Sequence, residues 1–263
     1  MLDKGFQTLR LTKKNGGTDT ISSTRDDWTP HPDGDDVEVM PLDIDDYFKW
    51  WSCGVENFIT HNIIDAYRIG FGDEAFLVGR LVDHAGMQRN TPIIRFGNIS
   101  LMADPSEKVR FKNRDQESFL VDCRSLSGMS GSAVFVTTTQ TYRGEDAERV
   151  VQSERARLQE ESEEPLPTST ATFKPVSVSG TYGAWLLGID MGHIPMMKTV
   201  YEAHGETDSG LIVDANTGIA CVLPAWCILD VLEEGKLVKE RNRDEKKIAK
   251  EIEENKNQVS DCG

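Results

Sequence analysis

The chain has 263 residues, 38% of them hydrophobic, enough for one well-buried all-β unit or two small barrels but not for a second enzyme domain. Acidic residues outnumber basic ones by 44 to 29 and leave a net charge of −15, which argues against nucleic acid and anionic membranes as partners, because both select clusters of Lys and Arg. No apolar run reaches the roughly 18 residues of a membrane span, and Met1-Leu2-Asp3-Lys4 opens neither a signal peptide nor an anchor, so a cytoplasmic location is expected.

Phe6 to Thr12 alternates with period two, and Asn15-Gly16-Gly17 turns it into Asp19 to Ser22, which predicts a hairpin. From Asp26 through Asp46 there are nine acidic residues and no Lys or Arg. That block lacks the alternating ligands, glycine and closing glutamate of a calcium loop, and reads as a solvated face. A short helix is expected within Tyr47 to Tyr67, with Phe48, Trp50, Trp51, Phe58 and Ile63 as core. Strands are expected at Phe76 to Val82, Ile93 to Ile99 and Phe119 to Asp122.

Residues 140 to 180 change character. Glu145 to Glu164 is densely charged and Pro165 to Val178 is rich in Pro, Ser and Thr, a composition that suits a solvent-projecting insertion between two strands. Order resumes at Tyr182, and Trp185 to Asp190 reads as a strand. Pro224 then starts a helix that runs to Leu232 with Trp226 as a core anchor. The domain is expected to span residues 1–234, followed by a charged, solvated helical tail over 235–263.

The five cysteines are odd in number, contain no Cys-x-x-Cys and are too few for a disulfide framework, so free thiols are expected and neither zinc, another metal nor a cofactor is. Chemistry concentrates instead in Ser125 to Phe135, where Ser130 lies between Gly128 and Gly131 just before a β-branched run. Glycines there let the backbone turn tightly and bring amide hydrogens toward a substrate carbonyl. A Gly/Ser turn with no chemical role has the same composition. An α/β-hydrolase elbow does not fit, because Ser132 stands at its last glycine position and a strand follows rather than a helix.

Trp28 to Pro41, Gly72 to Val82, Gln88 to Ser100, Glu117 to Phe135, Trp185 to Ile194 and Ile219 to Leu232 together resemble, in order and spacing, a group of bacterial proteins with a trypsin-like peptidase domain of the chymotrypsin-fold superfamily. The resemblance implies an all-β, chymotrypsin-like double barrel with a C-terminal helix and an incomplete first barrel. It implies Ser130 as nucleophile, the amides of Gly128 and Ser130 as oxyanion hole, and Asp36 of Asp36-Val37-Glu38-Val39 as the carboxylate that orients a histidine. Leu187 and Gly188, in the strand that lies along the substrate, would bind an extended peptide. By its spacing of six residues before the serine, Arg124 would line the specificity pocket and favour an acidic side chain; a one-residue shift puts Cys123 or Ser125 there instead, and an ion pair with a nearby carboxylate is the other reading of Arg124.

The family histidine lies tens of residues before the Asp, whereas His31 is the only histidine upstream of Asp36 and aligns with a connection. His61, His84, His193 and His204 all follow. The expectation is therefore a peptidase domain whose first strands and base are cut off or lie upstream, acting poorly on a peptide or protein substrate. The alternatives are a non-catalytic peptide- or protein-binding module on the same scaffold, and a neighbouring subunit that supplies the missing strands. Nothing in the sequence fixes the oligomeric state.

Overall fold

The computed structural model describes residues 7–80, 90–123, 128–143, 149, 152, 177–201 and 208–260. Its centre is a closed antiparallel barrel of six strands, β6 (Glu74–Gly79), β7 (Ile93–Leu101), β10 (Phe119–Asp122), β11 (Ala133–Arg143), β12 (Ser177–Tyr201) and β13 (Asp208–Pro224). Around the ring the neighbours run β10-β13-β12-β11-β6-β7. Pairing of Val121 with Ile99 closes the ring between β10 and β7.

The period-two alternation decides which side chains fill the barrel. Ala75 and Leu77 of β6, Phe119 and Val121 of β10, and Val134 and Val136 of β11 are all buried. Their neighbours face outward, and Phe76 stacks there on Phe135 with ring centroids 5.4 Å apart. Gly97 belongs to the wall for a steric reason, since a Cβ would lie 2.1 Å from the carbonyl oxygen of Asp122 across the β7–β10 seam.

The predicted N-terminal hairpin is β1 (Gln7–Lys13) with β2 (Thr18–Ser23), and β5 (Phe48–Lys49) adds to the other side of β1. Two short pairs follow, β3 (Thr29–Pro30) with β4 (Glu38–Val39), and β8 (Val109–Phe111) with β9 (Arg114–Gln116). Among the described residues the strands before β6 close no barrel of their own. Asn90 ties this sheet to the rest, donating from its amide to Thr12 Oγ1 at 3.0 Å and from Nδ2 to the Arg10 carbonyl at 2.6 Å.

The helix expected within Tyr47 to Tyr67 is shorter than that span. It is α1 (His61–Tyr67), capped by Thr60, whose Oγ1 accepts from the Ile63 amide at 3.2 Å. Phe58 is buried as expected, but Trp51 is 99% exposed and Trp50 46% exposed. Aromatic identity alone does not report burial, and these two lie before the helix in a stretch with no strand partner.

Pro224 caps α2 (Ala225–Leu232), which lays Ala225, Cys227, Ile228 and Val231 into the core. Trp226 packs edge-on to Phe119, centroids 5.5 Å apart, and over His61 at 4.5 Å. The tail is a long helix, α3 (Gly235–Ser260), with Ile248 and Ile252 exposed. The predicted insertion falls between β11 and β12, which pair from Ala133 with Ile189 out to Arg143 with Ser177; apart from residues 149 and 152, the stretch 144–176 lies outside the described residues. Among the described residues no helix is long and apolar enough to cross a membrane.

Candidate active site

Ser130 sits in the connection between β10 and β11, at the mouth of the barrel. Gly128 has φ +89° and Gly131 has φ +86°, the left-handed region that the serine motif anticipates for its glycines. Two backbone bonds hold the loop to Asp190 of β12: the Gly131 amide donates to its carbonyl at 2.7 Å, and its own amide donates to the Ser132 carbonyl at 2.9 Å. The Asp190 side chain is fully buried and its Oδ1 accepts from the Gly192 amide at 2.9 Å. Among the described residues no acceptor meets the amide hydrogens of Gly128 and Ser130.

The Ser130 hydroxyl donates to the carbonyl oxygen of Met191 at 2.9 Å. Lys112 Nζ donates to the same oxygen at 3.3 Å. Lys112 and Asn113 both have positive φ, 43° and 67°, and form the two-residue turn that joins β8 to β9. Positive φ at both central positions is the type I′ geometry of tight hairpins, and it aims the lysine at β12. Ser130 has no hydrogen bond to a histidine among the described residues. His61 lies on Trp226, and His193 is paired with Ala220 in the β12–β13 ladder.

Asp36 is exposed and lies two residues before β4. It lines an open cleft of about 610 Å³ whose walls also include Arg25, Lys112, Arg114 and Met191. Glu38 in the same wall pairs with Arg25. Ser130 opens instead onto a neighbouring cleft of about 500 Å³, with Arg80, Asn90 and Pro92 opposite. Met191 links the two walls, since it lines the first cleft and its carbonyl accepts from Ser130, which lines the second.

Leu187 and Gly188 do not offer a free edge. Gly188 pairs with Val134 of β11 on one side and Pro224 of β13 on the other, Leu187 is fully buried, and a Cβ on Gly188 would lie 1.8 Å from the Leu223 carbonyl oxygen. A peptide cannot add as a strand at these two residues, because both edges of β12 there are already paired; the ladder shifts register just beyond them, between Asp190 and Gly192. Gly192 has φ +130°, and a Cβ on it would come 3.4 Å from Ser130 Oγ. Arg124 lies outside the described residues.

No protein-family model, curated protein or solved structure matches this chain.

The sequence passed over Lys112, Met191 and Asp190. A signal for the first was present in Phe111-Lys112-Asn113-Arg114, where Asn is among the residues that tolerate a left-handed turn position. Met191 acts through its backbone, which no side-chain pattern reveals. Residues able to hold a metal ion gather elsewhere, at His31, Asp35 and Cys227, whose ligating atoms lie within 4.8 Å of one another. Burial, with the nearby carboxylates of Asp35, Glu117 and Asp230, pushes the Cys227 thiol well above its ordinary range.

Proposed function

We propose that the chain is a serine-type endopeptidase domain of the trypsin-like kind, with Ser130 as the nucleophile and the amides of Gly128 and Ser130 as the oxyanion hole. The six-stranded barrel with its C-terminal helices is read as the second barrel of a chymotrypsin-like pair, and the N-terminal sheet as part of the first. One observation carries this most: an exposed serine between two positive-φ glycines at a barrel mouth, beside amide hydrogens that meet no acceptor among the described residues. Such amides suit the oxygen of a tetrahedral intermediate, on which negative charge develops.

Attack requires that the hydroxyl give up its proton. In the present arrangement that proton points at the Met191 carbonyl, which is not a base, and no described histidine takes it. Loss of the histidine from such a triad costs about six orders of magnitude in turnover. Slow hydrolysis by this chain is the consequence. Lys112 adds a positive charge beside the nucleophile, and Asp36, which lines the same cleft as Lys112, is the carboxylate that the family pattern would use to orient a histidine.

Exposure of the chain to a mixture of unstructured peptides, with products read by mass spectrometry, tests the proposal. Cleavage that disappears in Ser130→Ala supports it, and cleavage that persists in that variant refutes it. Commitment of the Ser130 hydroxyl as a donor to Met191 favours a second reading, a peptide-binding module without chemistry. That reading requires saturable peptide binding with no new termini.

A further inference from the structure

At the cleft wall that carries Asp36, a loop and a helix bring three metal-ligating side chains together, with the Asp230 carboxylate beside the imidazole. Cys227 and Asp230 are three residues apart on α2, so they share a face. His31 and Asp35 flank a turn in which the Gly34 amide donates to the His31 carbonyl at 3.1 Å and Gly34 has φ +83°. Ligating atoms of His31, Asp35 and Cys227 lie within 4.8 Å of one another, and Asp230 Oδ2 is 3.5 Å from His31 Nε2.

The imidazole makes this more than a cluster of acids. Its side chain is only 3% exposed, and Nε2 is buried with no hydrogen-bond partner. A buried polar nitrogen aimed among two carboxylates and a thiol without a bond is an unfavourable arrangement unless something else occupies the space. Nδ1 accepts from the Asp33 amide at 3.2 Å, so without a metal the ring proton belongs on Nε2.

We propose that His31 Nε2, Cys227 Sγ and the carboxylates of Asp35 and Asp230 form a zinc site that clamps the His31–Asp35 turn to α2. The donors decide the ion: one imidazole, one thiolate and carboxylate oxygens suit tetrahedral Zn²⁺, whereas Ca²⁺ and Mg²⁺ take oxygen ligands. With the exposed Asp230 carboxylate turned in as the fourth ligand no position stays open, which is the pattern of a structural site. Binding moves the ring proton from Nε2 to Nδ1, opens the contact to the Asp33 amide, and releases the Cys227 thiol proton to solvent. Because Asp36 follows Asp35 directly, the ion fixes the wall of the cleft next to Met191.

Cobalt titration of the chelator-treated full chain tests the site. Co²⁺ is expected to give a thiolate-to-cobalt charge-transfer band and strong tetrahedral d–d bands, both displaced by stoichiometric Zn²⁺. Cys227→Ser abolishes the charge-transfer band and weakens binding by roughly 100-fold, while Cys53→Ser leaves both unchanged. Cys227 is buried, so Asp230→Asn, on a carboxylate 57% exposed, serves as the second variant: it keeps the fold and lowers Zn²⁺ affinity about tenfold. A wild-type chain that gives no charge-transfer band, a band that survives Cys227→Ser, or a Zn²⁺ affinity unmoved by Asp230→Asn overturns the proposal.

Discussion

The Ser130 hydroxyl and the Lys112 ammonium end on one atom, the carbonyl oxygen of Met191, at 2.9 and 3.3 Å. Two loops remote in sequence are thereby brought together over a buried segment of β12. The lysine is carried on a tight turn, so its approach depends on the fold of the β8–β9 hairpin rather than on a chance rotamer of a long strand residue.

Lys112→Met keeps the backbone and the length of the stem but removes the charge and the donor. Reaction of Ser130 with a phosphonylating reagent is expected to slow by about tenfold, a loss of about 1.4 kcal/mol. Stability in urea should change by less than about 1 kcal/mol, because the residue is exposed. Equal reactivity of variant and parent would mean that the lysine contributes nothing to the nucleophile.

Gly131→Ala and Gly97→Ala separate backbone strain from steric collision. A Cβ at Gly131 meets nothing within 4 Å, so the whole effect is the left-handed φ of +86°, and about 1–2 kcal/mol of destabilisation is expected. At Gly97 the Cβ meets the Asp122 carbonyl oxygen at 2.1 Å, and relief requires β7 to part from β10. The cost there should exceed about 3 kcal/mol, measured by chemical denaturation.

Alkaline pH probes the barrel interior. Burial pushes the Cys221 thiol from 9.0 up to about 11, with the Asp190 carboxylate adding to the shift and Ser118 opposing it. The folded value lies above the unfolded one, so the protonated thiol favours the folded state. Its contribution is fully present below pH 9 and is lost as pH rises toward 11, an amount of about 2–3 kcal/mol. Denaturation curves between pH 8 and about 11 should show a shallower decline for Cys221→Ala than for the parent chain.

Much of the barrel was legible because its strands obey the period-two rule over runs that are half apolar. Phe119 to Asp122 is a strand at the expected bounds, and Pro224 marks the start of α2. Trp50 and Trp51 misled for the converse reason: they carry large apolar surface without a periodic context to bury it. Ser130 and its glycines were legible because positive φ selects glycine in sequence as well as in space. Lys112 was not, since its place beside Ser130 depends on a meeting of segments that no local pattern encodes. Nor was the burial of His31, which results from the packing of an acidic loop on α2.

The proposal that Ser130 is a nucleophile is tested most directly by prolonged incubation of the full chain with a fluorophosphonate, followed by intact mass and peptide mapping. One phosphonyl group on the peptide that contains Ser130, formed slowly and absent from Ser130→Ala, is the predicted result. No adduct after long exposure, or an adduct that persists in Ser130→Ala, would contradict it.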